Sequence, residues 1–136
     1  MREDVKEILF SEEQISDKVK ELADRISRDY KDKNLLVVGV LKGSVLYAAE
    51  LIKNITVPCE IDFMAVSSYG NSTETSGVVR ILKDLDHSIE GKDILIVEDI
   101  VDSGVTLDYL LKYLKARKAN SINITTLLKI GRASCR

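Results

Sequence analysis

Two short stretches, Leu35-Leu36-Val37-Val38-Gly39-Val40 and Ile94-Leu95-Ile96-Val97, carry no polar side chain at any position. A strand with one wet face alternates polar and apolar residues. A strand covered on both faces reads as an unbroken apolar run, and such strands belong to parallel sheets with helices packed on either side. Each run ends in a polar segment that leads into a helical pattern. The first leads to Val45–Asn54, rich in Ala and Leu, and the second to a helix from Val105 to about Ala116 with Leu107, Leu110, Leu111 and Leu114 on one side. Ser121–Leu128 follows as a further strand. Strands alternating with helices imply right-handed crossovers and an α/β class, a mostly parallel sheet flanked by helices. Its ligand crevice should open at the carboxyl ends of the strands.

The remaining chain fits that frame. Ser11-Glu12-Glu13-Gln14 has the spacing of a capping box, so a helix should start there and run to about Tyr30. Ile15, Val19, Leu22 and Ile26 would form its apolar stripe. Pro58 marks the entrance to a strand from Cys59 to Val66. Ser67–Gly77 is polar and without periodicity, which predicts a long loop. Val78–Lys83 resumes an extended pattern, and Glu90-Gly91-Lys92-Asp93 turns the chain into the second apolar run. At 136 residues there is room for one domain, and no internal repeat or linker interrupts it.

The bulk numbers exclude some functions. A formal charge of -2 leaves no basic stripe for nucleic acid or an anionic membrane. No apolar run approaches the roughly 20 residues that span a bilayer, and Met1–Leu9 carries acids where a signal peptide carries bases, so a cytoplasmic location is expected. Cys59 and Cys135 lack metal spacing, and Cys59 reads as a lone buried thiol.

The chemistry concentrates in Val97-Glu98-Asp99-Ile100-Val101-Asp102-Ser103-Gly104-Val105-Thr106, where an apolar strand ends in acids and a short loop opens a helix. Backbone N–H groups at such a start form a phosphate cradle, with Gly104 allowing close approach and Ser103 and Thr106 offering hydroxyls. The Walker spacing and its lysine are missing. Adjacent Glu98 and Asp99 beside a phosphate site suggest a sugar diol, a magnesium ion, or both. Asp-Ser-Gly by itself would equally be an ordinary turn and helix cap; the whole acidic-strand-to-helix pattern is far more specific. His87, in the polar turn Asp86-His87-Ser88, reads as solvated, and Tyr109 and Tyr113 read as helix packing.

From Glu98-Asp99 to Thr106-Leu107 the chain resembles the phosphoribosyl pyrophosphate motif of type I phosphoribosyltransferases. Leu41-Lys42-Gly43, Ile61-Asp62-Phe63-Met64 and Ser68-Tyr69-Gly70 resemble the hypoxanthine-guanine branch in order and spacing, over about Ile8 to Leu128. The resemblance implies a Rossmann-like fold and transfer of 5-phosphoribosyl to hypoxanthine or guanine in purine salvage, with Mg2+ as cofactor. It further implies that Glu98 and Asp99 hold the ribose hydroxyls and the metal. Asp102 would accept a proton near purine N7. Ser103, Gly104, Val105 and Thr106 would bind the 5'-phosphate. Lys42 and Gly43 would bind pyrophosphate, behind a cis Leu41–Lys42 peptide. Ser68 and Tyr69 would belong to a lid. Relatives are commonly dimers or tetramers, so a homo-oligomer is expected.

The match stops at Leu127-Leu128. The family's purine-contacting lysine and the aromatic and acid after it have no counterpart, and Lys129 is one position early for that role. The expectation is therefore a domain over 1–129 with an incomplete carboxyl-terminal hood and impaired activity. Ile130–Arg136 is expected to be a non-native tail, because one permitted codon set for it spells the start of a common sequencing-library adapter. Alternatives are a phosphoribosyltransferase for another base such as xanthine, an RNA-binding pyrimidine attenuator of the same fold, or a module that senses phosphoribosyl pyrophosphate without turnover.

Overall fold

A computed structural model describes residues 11–69, 78–101 and 105–129. The elements run α1 (Glu12–Asp29), β1 (Leu35–Leu41), α2 (Val45–Lys53), β2 (Glu60–Tyr69), β3 (Val78–Lys83), β4 (Asp93–Val101), α3 (Val105–Ala116) and β5 (Ser121–Lys129). They build a five-stranded sheet in the order β3-β2-β1-β4-β5. β2, β1, β4 and β5 are parallel, and β3 pairs antiparallel with β2 at one edge.

Alternation along the central strands sorts the core into two clusters. Leu35, Val37, Leu95 and Val97 face α1 and α2, where they meet Val19, Ala23, Ile26, Tyr47, Ala48 and Leu51. Leu36, Val38, Val40, Ile94 and Ile96 face α3, where they meet Leu107, Leu110 and Leu114. Both faces of β1 and of the middle of β4 are therefore covered, which is why Leu35–Val40 and Ile94–Val97 show no polar positions. The two crossover helices lie on opposite faces because the chain steps from β1 to β2 in one direction and from β4 to β5 in the other.

The expected capping box closes α1. Ser11 Oγ accepts from the Gln14 N–H at 3.0 Å, and Gln14 Oε1 accepts from the Ser11 N–H at 2.9 Å. Two strand ends differ from expectation. β2 continues through Ser67, Ser68 and Tyr69, which were predicted as loop, because these residues pair with Arg80, Val79 and Val78 of β3. β4 likewise continues past Val97 to Val101, paired with β5 as far as Lys129. In both places backbone pairing sustains the strand where apolar patterning has stopped. Cys59, expected to be buried, is half-buried and free, and burial pushes its thiol up.

At the amino edge of the sheet Asp93 is 5% exposed and gathers three chain segments. Its Oδ2 accepts from the Asn34 N–H at 3.2 Å. Its Oδ1 accepts from Asn120 Nδ2 and Ser121 Oγ, each at 2.8 Å. Below the β2–β3 ribbon a second polar knot holds the chain. Lys83 Nζ donates to the carbonyls of Phe63 and Asp84, both at 2.9 Å, beside the carboxylates of Asp62 and Asp86. Asp84 in turn accepts from the Tyr113 hydroxyl and pairs with Arg117, so the start of the β3–β4 connection is fastened to α3.

Candidate functional site

The strand order reverses direction between β1 and β4. In an open α/β sheet that point is where the loops leaving two neighbouring strands part toward opposite faces and a crevice forms. β1 and β4 are in parallel register, with Leu35 opposite Asp93 and Gly39 opposite Val97. Continuing that register brings Leu41 level with Asp99. The Lys42–Gly43 loop and the acidic pair Glu98-Asp99 therefore emerge side by side, although they lie far apart in sequence.

On the β1 side, the Leu41–Lys42 peptide bond is cis, as expected from the resemblance. Lys42 and Gly43 are exposed, whereas Ser44, the next residue, is fully buried. The turn is closed by the Val45 N–H donating to the Lys42 carbonyl at 3.2 Å. On the β4 side, Glu98 pairs with Thr126 of β5 and continues the parity of Ile94 and Ile96, which puts it on the α3 side of the sheet. Glu98 is half-buried and engaged with neighbouring groups, as is Thr106 in the first turn of α3. Asp99 lies on β4 and Val105 begins α3. Asp102, Ser103 and Gly104 lie outside the described residues, as do Gly70–Gly77. Ser68 and Tyr69 close the β2 end of the β2–β3 ribbon, at the same rim.

Residues expected to stand aside do so. His87 is exposed in the β3–β4 connection at the other end of the sheet. Tyr109 and Tyr113 stack along α3 with ring centroids 6.2 Å apart, and Arg117 lies 5.0 Å over the Tyr113 ring. Sequence reasoning gave no role to Ser44, Gly39 or Phe63. A serine after Lys-Gly offers no signal beyond that of a helix cap, and the contact between Gly39 and Phe63 crosses strands.

The Glu98 carboxylate at this rim suits a hard cation by its donor chemistry. Magnesium takes oxygen ligands and commonly relies on one or two carboxylates together with substrate phosphates. A preformed cage of three or more ligating side chains is absent among the described residues.

The phosphoribosyl transferase domain family matches residues 6–135. A hypoxanthine-guanine phosphoribosyltransferase of Bacillus subtilis is 56% identical over 128 residues, covering 94% of this chain and 71% of that protein. The chain belongs to the hypoxanthine-guanine phosphoribosyltransferase family. Solved structures agree. A hypoxanthine phosphoribosyltransferase from Staphylococcus aureus superposes with a TM-score of 0.85 at 49% identity, over 89% of this chain and 66% of that one. A hypoxanthine-guanine phosphoribosyltransferase from Bacillus anthracis gives 0.85 at 48% identity, over 90% and 73%. Members of the hypoxanthine-guanine phosphoribosyltransferase family are pentosyltransferases of purine salvage. Among the described residues, no helix is long and apolar enough to cross a membrane.

Proposed function

We propose that the protein transfers 5-phosphoribosyl from phosphoribosyl pyrophosphate to hypoxanthine or guanine, giving IMP or GMP and pyrophosphate. The observation that carries this reading is the juxtaposition at the switch point of a Lys-Gly loop with an acidic strand end that leads into a helix. That arrangement offers separate places for the three parts of one substrate. In this reading Ser103, Gly104, Val105 and Thr106 take the 5'-phosphate on main-chain donors and hydroxyls. Glu98 and Asp99 hold the ribose hydroxyls, and Lys42 and Gly43 hold the pyrophosphate.

The bond from C1' to the pyrophosphate oxygen breaks as the bond to purine N9 forms, and the N7 proton passes to Asp102. Positive charge builds on the sugar, so the site must hold both ends of the substrate in line and keep water away. Ser68 and Tyr69, at the tip of the β2–β3 ribbon, would contribute to the lid that excludes it. Glu98 and Asp99 would hold Mg2+, which when bound offsets the charge of the departing pyrophosphate. The same reading places the native domain in residues 1–129, with 130–136 foreign to it, and the protein in the cytoplasm as a homo-oligomer, a dimer or tetramer.

Binding provides the direct test. Titration of the folded chain with phosphoribosyl pyrophosphate and Mg2+ should give saturable heat that Asp99→Asn weakens, and a flat wild-type titration would sink the reading. In assays of phosphoribosyl transfer, Asp102→Asn should lower kcat by about 10² to 10⁴-fold with substrate affinity retained. Rates with hypoxanthine, guanine and xanthine would settle the base.

A further inference from the structure

Ser44 stands at the N-cap of α2 but does not cap it. An N-cap serine normally accepts a hydrogen bond from an N–H of the first turn. Here the hydroxyl turns the other way and donates to the Val40 carbonyl at 2.5 Å, reaching back across Leu41, Lys42 and Gly43 to the end of β1. The Ser44 carbonyl is meanwhile held by the Ala48 N–H at 2.8 Å. A fully buried bond thus brackets two exposed residues, Lys42 and Gly43. The strand beneath is closely packed: a Cβ on Gly39 would lie 2.7 and 2.8 Å from the Phe63 ring and 3.5 Å from Ser44 Oγ. Only glycine there leaves room for the ring, while the Ser44 hydroxyl would lie at ordinary contact distance from such a Cβ.

We propose that Ser44 is a positioning residue for the pyrophosphate end of the substrate, its back-turned hydroxyl fixing the Lys42–Gly43 main chain in one orientation. This rests on the reading of Lys42–Gly43 as the pyrophosphate loop. An exposed loop that must present its donors to a polyanion loses affinity when it samples other orientations, because ordering it then falls to the ligand. The tether removes that cost in advance. Ser44 itself, fully buried, touches no ligand in this scheme.

The test compares two probes on the 136-residue chain in Mg2+ by calorimetry: inorganic pyrophosphate, and ribose 5-phosphate, which would occupy the Ser103–Thr106 cradle. Ser44→Ala should weaken pyrophosphate by about tenfold, the size of one lost hydrogen bond, and leave ribose 5-phosphate unchanged. Ser44→Cys, close in volume and a weak donor, should fall between, and it carries the comparison if the alanine variant does not fold. Equal losses for both probes would reduce Ser44 to a general stabiliser and overturn the proposal. Unchanged pyrophosphate affinity in both variants would overturn it too. A wild-type chain that binds ribose 5-phosphate but not pyrophosphate defeats the assignment of Lys42–Gly43, and the proposal with it. One that binds neither defeats the phosphoribosyl reading itself.

Discussion

Asp93 brings together three segments that the sequence keeps apart. Hydrogen bonds from Asn120, and further ones from Ser121 and the Asn34 N–H, hold its carboxyl below the usual range against the opposing effect of burial. A carboxyl with a depressed folded value contributes stability that is present above its unfolded value, about 3.9, and is lost as pH falls through the folded one. Asp93→Ala should therefore cost about 1 to 3 kcal/mol at pH 7, with the deficit shrinking below about pH 4. Urea midpoints measured across that range check both parts; an unchanged midpoint at pH 7 would contradict the role. Nothing near Asp93 in sequence announced this, since Glu90–Asp93 reads only as a turn. The Ser44 hydroxyl was equally illegible, because cap position does not say which way a side chain points.

At the scale of elements, legibility followed burial. The unbroken apolar runs named β1 and the core of β4, and the capping box named the first turn of α1, because each signal is local. The ends of β2 and β4 were not legible, since Ser67, Ser68 and the residues after Val97 are kept extended by neighbouring strands rather than by their own polarity. Gly39 is a comparable case: within an apolar run it looks like a neutral interruption, yet its missing side chain is space that the β2 ring uses. Gly39→Ala should force the Phe63 ring aside and destabilise by about 1 to 3 kcal/mol. Adding Phe63→Leu should recover part of that loss in a double-mutant cycle, whereas strictly additive effects would show that the two positions are not coupled.

For the whole molecule the stability profile should have two limbs. Asp62 is pushed up by burial, but N–H groups of Asp86 and Phe63 and the Lys83 ammonium more than offset this, so it joins Asp93 in the acid limb. Burial raises the phenols of Tyr30 and Tyr47, against the bonds they share with Asn123 and Thr125. A phenol with a raised folded value stabilises below its unfolded value, about 10, and that contribution is lost as pH rises beyond it. Denaturation followed against pH should show a plateau between about 4 and 8.5, where the raised Cys59 thiol begins the alkaline fall, and Tyr30→Phe with Tyr47→Phe should flatten the part of that fall above about 10. A fall of equal steepness in that double variant would place the alkaline limb elsewhere.

The carboxylate that cinches β4 to the starts of its neighbours sits at one rim of the sheet, and the loops that would grasp a substrate leave from the other, roughly 25 Å away along β4. Anchorage and chemistry are thereby divided between two ends of the same strand. Residues of the grasping loops can be exchanged, by evolution or by design, while the opposite knot goes on holding the sheet together.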